Sequence, residues 1–361
     1  MNRLLAYTRL RNQLIAGRSG NTPAETVQRL GAVQAQDYSQ ALWAIGLRTR
    51  NSLAADVERA INDRQIVISW AMRGTLHAVP AEDLSWMIRL LAPRVLAKDK
   101  RRMEQLELDF KQISKCESII HAALQDRKQM PRSDLMALLE SAGISTKNQR
   151  GYHILWRLAQ TSLICPGPMD GKQQTFVLLE EWIPVHNRFS AEESLKELTK
   201  RYFTGHGPAT LHDFSWWSGL TVKEARNGIE AAQGVLHCEK IDGVEYWMGG
   251  DGTTESDEQS GIFLLAGFDE YILGYKDRDA VLQPEYFPRI VPGNNGVFAP
   301  LLVVDGEIKG IWRRTIKKDG VEIEVRPFAG TVSGKERIAE SARRYGEFVG
   351  MPLLKTTVFE K

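Results

Sequence analysis

Two glutamines separated by one alanine are the residues whose types and spacing best suit a chemical role. Gln34-Ala35-Gln36 comes shortly after Gly31, which permits the helix predicted over residues 23–30 to end. In extended backbone, side chains at positions i and i+2 point to the same side, whereas on a helix they would lie on separate faces. Two carboxamides on one side offer both donors and acceptors, so they could hold one water molecule between them.

The residues alone leave a second interpretation of this segment open. Gln34 and Gln36 would then satisfy backbone groups in a loop between helices, and the frequency of polar loops favours this interpretation. No Gly-rich phosphate loop, zinc-ligand cluster or nucleophile elbow accompanies them, which disfavours most enzyme classes that local motifs identify. The seven histidines show no metal-ligand spacing, and we expect neither a metal ion nor a cofactor.

A group of charged residues near position 270 also suits more than one role. Asp269, Glu270, Asp277 and Arg278 lie within eleven consecutive residues, 268–278. Paired carboxylates suit general acid–base catalysis. The nearby cations Lys276 and Arg278 favour ion pairs or turn capping instead, and we expect this segment to hold its domain together.

Two further pairs of residues have both a functional and a structural interpretation. Arg73 and His77 bracket a predicted hairpin, where an arginine could contact a phosphate and His77 could line a cleft. The alternative, slightly favoured for His77, is a simple turn and a satisfied histidine. Trp216 and Trp217 could stack on bases, but large aromatic residues at helical spacing favour a position in the core.

Charge is unevenly distributed along the chain. The net charge is only +2, but residues 1–150 carry 23 basic and 15 acidic residues, and the remainder carries 24 and 30. A basic N-terminal part suits an anionic partner such as a phosphate backbone. A solvated basic face without a partner is an equal alternative.

One predicted strand in the acidic C-terminal part is basic. Arg313, Arg314, Lys317 and Lys318 lead to the hairpin turn signal Asp319-Gly320. Such a strand either contacts DNA or protects a sheet edge against aggregation.

The elements that must position these residues recur as helices followed by an apolar hairpin. The first set comprises helical patterns over residues 4–15, 23–30 and 53–62, strands over residues 66–72 and 75–79, and helices over residues 80–112. The second comprises helices near residues 116–126, 133–141 and 148–162 and a hairpin over residues 163–179. The third comprises helices near residues 191–202, 208–217 and 221–232 and a hairpin over residues 235–248. Three helices with a two-stranded wing indicate a winged-helix unit.

The C-terminal part has a different pattern. Residues 251–260 read as an acidic linker, and β-type segments follow over residues 262–265, 297–304, 307–314 and 321–326, then a helix over residues 334–349. The predicted fold class is mainly α with β wings (α+β), with three tandem winged-helix modules and a small C-terminal β domain with a terminal helix. The predicted domains are residues 1–112, which carry the Gln-Ala-Gln motif, 113–187, 188–250 and 261–361.

The cysteines and the N-terminus indicate a compartment. Cys116, Cys165 and Cys238 are odd in number and widely spaced, which is typical of free thiols in a reducing environment. The first residues lack the apolar core of a signal peptide, and no stretch approaches the length of a membrane span. We therefore expect a cytoplasmic protein without a membrane partner.

In several motifs and in their order along the chain, the sequence resembles the AlkZ-like family of bacterial DNA glycosylases, which contain winged-helix DNA-binding domains. The matching motifs are Gln34-Ala35-Gln36, RGTLH at residues 73–77, FDEYILGYKDR at residues 268–278 and GIWRR at residues 310–314. The family layout, three winged helices forming a concave surface and a C-terminal β domain, agrees with the predicted elements. Some relatives carry Asp at the second glutamine, so Gln36 places this sequence among the Gln–Gln members.

The resemblance implies a monofunctional glycosylase that excises N7-alkylated purines from double-stranded DNA. Some relatives unhook interstrand crosslinks joined through purine N7. An N7-alkyl purine is already a good leaving group because it carries positive charge, so the remaining task is to place water on a sugar with oxocarbenium character. Gln34 and Gln36 would orient that water, and the reaction would depend more strictly on Gln36 than on Gln34. No lysine that could form a Schiff base lies near the motif.

The resemblance also bears on the neighbouring charged residues. Asp37 could stabilise a cationic sugar or receive a proton, but in extended backbone its side chain points away from both glutamines, which favours a structural role. The likeness supports DNA contact by the basic hairpin of Arg313, Arg314, Lys317 and Lys318.

A competing function is a non-catalytic winged-helix DNA-binding protein or transcription regulator, because a fold does not determine function. A regulator would bind a defined operator, usually as a symmetric dimer. A repair enzyme would bind as a monomer, through phosphate contacts and the shape of the lesion.

Overall fold

A computed structural model describes residues 2–17, 22–171, 173–250, 261–330 and 334–359. The predicted linker over residues 251–260 lies outside these ranges. The helices are α1 (Arg3–Asn12), α2 (Pro23–Leu30), α3 (Tyr38–Leu47), α4 (Ala54–Asn62), α5 (Leu84–Lys98), α6 (Lys100–Gln105), α7 (Phe110–Leu124), α8 (Arg132–Ser141), α9 (Arg150–Gln160), α10 (Leu179–Trp182), α11 (Ala191–His206), α12 (Leu211–Ser218), α13 (Val222–Ala232), α14 (Glu270–Leu273), α15 (Phe287–Ile290) and α16 (Lys335–Phe348).

The strands form two three-stranded sheets, one two-stranded sheet and one five-stranded sheet within the described residues. They are β1 (Val33–Gln34), β2 (Ile66–Met72), β3 (Thr75–Pro80), β4 (Met130–Pro131), β5 (Ile164–Asp170), β6 (Gln173–Leu178), β7 (Leu236–Ile241), β8 (Val244–Gly249), β9 (Ile262–Leu265), β10 (Leu301–Val304), β11 (Glu307–Ile316), β12 (Val321–Pro327) and β13 (Leu353–Val358). The chain divides into two compact units, the first comprising Met1–Arg59 with Lys196–Lys361 and the second Ala60–Leu195.

The second unit contains two hairpins among helices. In the β2–β3 hairpin, Arg73 and Gly74 form the two-residue turn, both with positive φ (51° and 73°). This is the type I′ geometry that matches the twist of the strands. Strands β5 and β6 form the other hairpin, and β4 pairs with β6. Trp70, Ile120, Leu155 and Phe176 belong to the apolar core that joins these hairpins to the helices.

The first unit is built around a five-stranded sheet in the order β13-β12-β11-β10-β9. Its strands are antiparallel except for β12 and β13, which are parallel. Val321, Ile323 and Val325 are buried in β12 and alternate with more exposed residues, as expected when one face of a strand packs on a core. This alternation sets the register that places the basic residues of β11.

Helix α3 begins directly after the Gln-Ala-Gln motif and packs against the sheet and the terminal helix. The Trp43 ring lies 5.1 Å from Tyr345 and 5.0 Å from Phe348, both on α16. Its indole N–H donates to the main-chain oxygen of Leu264 in β9 (2.8 Å). The buried Trp43 therefore anchors the helix that follows the motif to the C-terminal sheet.

Helices α11–α13 and the β7–β8 hairpin complete the first unit. Thr210 and Thr221 cap α12 and α13 with capping boxes, and Gly219 ends α12 in the left-handed conformation (φ 76°). Asp242 and Gly243 form the β7–β8 turn, again with positive φ. Trp217 is fully buried, which confirms its expected place in the core, and Trp216 is half-buried.

The predicted elements are largely present, and several further elements were not predicted. The helices and hairpins expected from periodicity occur within a few residues of their predicted bounds, as do the four C-terminal strands and the terminal helix. Helix α3 and strand β13 were not predicted, and neither were the short elements β4, α10, α14 and α15. Among the described residues, no helix has the length and apolar character needed to cross a membrane.

Candidate active site

The Gln-Ala-Gln motif begins in extended backbone at Gln34, the last residue of β1, and the chain bends at Gln36 and Asp37 before α3. Helix α2 ends at Leu30, and Gly31 takes a positive φ of 76° that redirects the chain. Gln34 belongs to β1, and the alternation of burial continues past it, because Ala35 is buried, Gln34 is half-buried and Gln36 is exposed. Both glutamines are therefore more accessible than the alanine between them, and a common side for the two amides stays a prediction.

Asp37 follows the motif and is the N-cap of helix α3. Its backbone is extended (φ −114°, ψ 112°), and its Oδ1 accepts hydrogen bonds from the Gln40 main-chain N–H (3.1 Å) and the Ser39 hydroxyl (2.7 Å). These are the bonds of a helix N-cap. The structure therefore gives Asp37 a structural task, as expected, and the prediction that it lines a cleft stays a prediction.

The buried carboxylate of Glu270 contacts the main chain of the motif. The Gln34 N–H donates to Glu270 Oε1 (2.9 Å), and the Trp217 indole N–H donates to Oε2 (3.0 Å). His206 Nε2 lies 3.3 Å from Oε2. Glu270 is only 1% exposed, so these partners replace the water that its carboxylate gives up.

An ion pair fixes the residue before Glu270. Arg48 at the end of α3 donates through Nη1 and Nη2 to both carboxylate oxygens of Asp269 (3.0 and 2.6 Å), and neither side chain is exposed. Gln13 Oε1 accepts a further bond from Arg48 (2.9 Å). Asp269 also caps α14 by accepting from the Tyr271 N–H. Helix α14, and Glu270 at its first turn, are thereby attached to the helix that follows the motif.

The basic strand β11 reaches the same region. Arg314 Nη2 donates to the Ser39 hydroxyl (2.6 Å), the group that itself donates to Asp37. The Arg314 guanidinium also lies 5.7 Å from the centre of the Tyr345 ring. Burial raises the pKa of Tyr345, with Arg314 opposing and Asp37 adding to the shift. The positive charge of Arg314 and the negative charge of Asp37 therefore both act on the surroundings of the motif.

The other predicted basic residues lie on either side of Arg314 in the β11–β12 hairpin. Arg313, Lys317 and Lys318 are exposed. Lys317 Nζ lies 3.8 Å from Glu322 Oε2 across the hairpin, and such exposed pairs are weak. Arg313 stands opposite Glu324 in the register. These side chains are accessible to a large anionic partner.

Tyr38 is a residue near the motif that the sequence did not single out. It is half-buried, and burial raises its pKa to about 12, with a further contribution from Glu58. Its hydroxyl therefore stays protonated at physiological pH and is a neutral donor or acceptor.

Arg73 and His77 lie in the second unit. Arg73 occupies the tip of the β2–β3 hairpin, and its Nη2 is 3.4 Å from His77 Nε2. His77 Nδ1 is 2.9 Å from the main-chain oxygen of Thr75, and the ring is fully buried. The structure therefore supports the satisfied, buried histidine of the structural interpretation, and DNA contact by Arg73 stays a prediction.

Glu270 is the main residue whose place in the site sequence reasoning missed. The segment around it was expected to hold its domain together, and the Arg48–Asp269 pair does so. Nothing in the local spacing relates Glu270 to Gln34, because the two residues are 236 positions apart. Among the described residues, no group of three or more His, Cys, Asp or Glu side chains is placed to hold a metal ion.

Comparisons with known proteins identify the family. The model of the family described as "DNA glycosylase AlkZ-like" matches residues 27–348. The chain belongs to the AlkZ-like family of DNA glycosylases. A curated relative from Streptomyces sahachiroi, named interstrand DNA cross-link repair glycosylase, is 26% identical over 357 residues, covering 90% of this chain and 89% of the relative.

A solved structure agrees with this assignment at the level of the fold. The DNA glycosylase AlkZ of Streptomyces sahachiroi superposes with a TM-score of 0.84 at 24% identity, covering 99% of this chain and all of the other. The family confirms the resemblance seen in the motifs and decides between the two functions expected from the sequence. This AlkZ-like protein is a DNA glycosylase, not a regulator without enzymatic activity.

Proposed function

We propose that this AlkZ-like glycosylase hydrolyses the N-glycosidic bond of N7-alkylated purines with a water molecule held by Gln34 and Gln36. The observation that carries the proposal is the hydrogen bond from the Gln34 main chain to the buried Glu270 carboxylate, within a segment that leaves both glutamines accessible. Preorganised polar groups contribute most to catalysis when the fold holds them in place. The motif meets this condition, since it is attached to the interior of the protein.

The chemistry suits amide side chains. An alkyl group at N7 puts a positive charge on the purine, so the base departs without a strong general acid. The bond breaks with oxocarbenium character at the sugar, and its electron pair leaves with the purine, which departs as the neutral N7-alkyl base. Water adds to the opposite face of the sugar and releases one proton to solvent. Gln34 and Gln36 orient this water by accepting its hydrogens and donating to its oxygen. Glutamine does not titrate, so their part of the reaction is independent of pH.

The proposed substrate is double-stranded DNA, bound by a single protein chain. Each of the hairpins β2–β3, β5–β6 and β7–β8 follows a group of helices, which supports three winged-helix modules. The modules would occupy residues 1–112, 113–187 and 188–250, before the β domain of residues 261–361. Arg73, Arg313, Arg314, Lys317 and Lys318 supply positive charge for the phosphates.

Crosslinked purines are a proposed second substrate. The curated relative is named for the repair of interstrand DNA crosslinks. A crosslink joined through purine N7 presents the same cationic leaving group as a simple N7-alkyl purine. Its bulk requires an open site, and the exposure of Gln36 is compatible with one.

The decisive experiment measures base release from a duplex that carries one N7-methylguanine. We expect Gln36→Ala to lower single-turnover release about a hundredfold, because misplacement of a reacting group costs on that order. Gln34→Ala should lower it less. Gln28→Ala, which removes the same amide from an exposed position on α2, should release base at the wild-type rate. Unchanged release by Gln36→Ala would remove the motif from the mechanism.

The same assay defines the substrate and the type of mechanism. Parallel duplexes with N3-methyladenine and with an N7-linked crosslink determine which lesions are processed. Borohydride added during turnover should trap no covalent adduct, since water is the nucleophile. A trapped adduct would show that an amine of the protein attacks the sugar.

A further inference from the structure

Glu270 places a carboxylate inside the first unit, in contact with the motif. Glutamate is rarely buried to this extent without compensation, and here its 1% exposure accompanies three polar neighbours. One oxygen accepts from Gln34 N–H, and the other accepts from the Trp217 indole and lies near His206. The carboxylate therefore bonds to the motif through one oxygen and to an aromatic group through the other.

The Trp217 side of this carboxylate is rigid. Trp217 is fully buried on α12, and the rings of Tyr202 and His206 pack against it at 4.9 and 5.2 Å. The Glu270 main-chain oxygen accepts from the Gln13 side chain (3.3 Å), and the Arg48–Asp269 pair holds the preceding residue. Contacts from several elements other than the motif thus hold the Glu270 carboxylate, which accepts from Gln34, in place.

We infer that Glu270 is a positioning residue for the glycosylase reaction, which holds the Gln34 main chain so that the two amides can hold water. The inference rests on the proposed function. The contact is made through the Gln34 N–H, midway between the turn at Gly31 and the cap at Asp37, so it helps to fix the position of the segment between them. Loss of this hydrogen bond displaces the two amides without removing them. We expect kcat to fall while KM changes little, because the proposed DNA-binding cations lie elsewhere.

A matched pair of variants isolates this hydrogen bond. Trp217→Phe is introduced first, to remove the indole N–H that would oppose an amide group at position 270. In that background, Glu270→Gln keeps an oxygen that can accept from Gln34 N–H, whereas Glu270→Met has a similar shape and no such acceptor. Both double variants lack the buried charge and the indole donor. They differ only in whether residue 270 offers an oxygen that accepts from the Gln34 N–H.

We expect the Gln double variant to keep kcat within about threefold of Trp217→Phe alone, and the Met double variant to lose at least about tenfold in kcat with KM little changed. Thermal melting of both establishes that they are folded. Glu285→Gln, the same substitution at an exposed position, should match the wild type. Equal kcat values for the two double variants would overturn the inference.

Two further measurements remove ambiguity. If the Met double variant does not fold, Glu270→Asp retains the charge but withdraws the carboxylate from Gln34, and wild-type kcat in this variant overturns the inference. Gln34→Ala and Gln36→Ala are assayed alongside. Wild-type rates for both would contradict the proposed function itself, whereas slow rates together with equal Gln and Met double variants contradict only the role of Glu270.

Discussion

At the scale of single residues, the Arg48–Asp269 pair shows how the interior supports the motif. Both side chains are fully buried, and the guanidinium also donates to Gln13 and to the Ala44 main-chain oxygen. Taking two charges out of water is costly, so such a pair is stable only while both partners are present.

Asp269→Ala should therefore lower the free energy of unfolding by about 3–5 kcal/mol, because Arg48 keeps a buried and uncompensated charge. Arg59→Ala, which breaks an exposed pair with Asp56, should cost less than about 1 kcal/mol. Urea denaturation measures both. The double variant Arg48→Met/Asp269→Leu should recover much of the loss, and equal losses for Asp269→Ala and Arg59→Ala would contradict this account.

The three cysteines should differ in their reaction with a maleimide. Cys116 and Cys165 are buried, and burial raises the pKa of Cys116 to about 11, whereas Cys238 is exposed. The pKa of Cys238 is also raised, by partial desolvation and then by Glu245 and Glu239. Because two of the cysteines are buried, labelling of the folded protein should occur at Cys238 alone. Because the pKa of Cys238 is raised, less thiolate is present at a given pH, and its labelling rate should rise at higher pH than that of a free thiol.

Glu245→Gln tests the cause of that shift. Removing a negative charge lowers the pKa of Cys238, so labelling at pH 7 should become faster, while Glu336→Gln on α16 should leave the rate unchanged. Mass spectrometry of the labelled peptides gives the site and the rate. Fast labelling of Cys165 in the folded protein would show that the core opens.

At the scale of elements, the β11–β12 hairpin is the part expected to contact DNA. Its exposed cations follow Arg314, which is attached to Ser39 beside the motif. A phosphate held by these cations would therefore lie near the proposed site in the same unit.

Lys317→Ala/Lys318→Ala should flatten the plot of log affinity against log salt concentration by about 1–2, since each lost phosphate contact lowers the slope by about 0.9. The control Lys309→Ala/Lys355→Ala makes the same change in net charge on β11 and β13, and it should flatten the plot much less. Equal slopes for the two double variants would assign the effect to overall charge.

The contact between α3 and α16 depends on a glycine. A Cβ added at Gly46 would overlap the ring of Phe348, whereas one added at Gly234 meets no described atom within 4 Å. Alanine favours a helix over glycine by about 1 kcal/mol, but overpacking a core costs about 1–3 kcal/mol.

Gly46→Ala should therefore destabilise the protein, and Phe348→Leu in the same chain should restore part of the loss by making room. Gly234→Ala serves as the control and should be close to neutral. Thermal and urea denaturation give the free energies. A Gly46→Ala variant as stable as the wild type would show that α3 and α16 do not pack this closely.

At the scale of the whole molecule, the first compact unit contains the motif, its buried carboxylate and the basic hairpin in one chain. A second copy is not needed to complete this arrangement. We therefore expect a monomer in solution and one chain bound per lesion. Analytical ultracentrifugation with and without lesion-containing duplex measures the stoichiometry, and a stable dimer that needs two half-sites would contradict the prediction.

Periodicity predicted most of the elements, and its two longest omissions, α3 and β13, have physical causes. Residues 40–49 are all buried, so most of α3 lacks the polar face that makes a helix recognisable in a sequence. Strand β13 pairs in parallel with β12 across the intervening helix α16, and its residues are mostly partly exposed. Neither feature follows from the local pattern of hydrophobic residues.

The sequence by itself determined the two amides, their spacing, the glycine that ends α2 and the cations before Asp319-Gly320, because these depend on neighbouring residues. The local rules for extended backbone and helix ends act over a few positions, and the structure agrees with them. Only the tertiary structure decided that Glu270 meets Gln34 and that Arg314 meets Ser39, 275 positions away. Packing of the core brings such groups together, and local spacing carries no record of it.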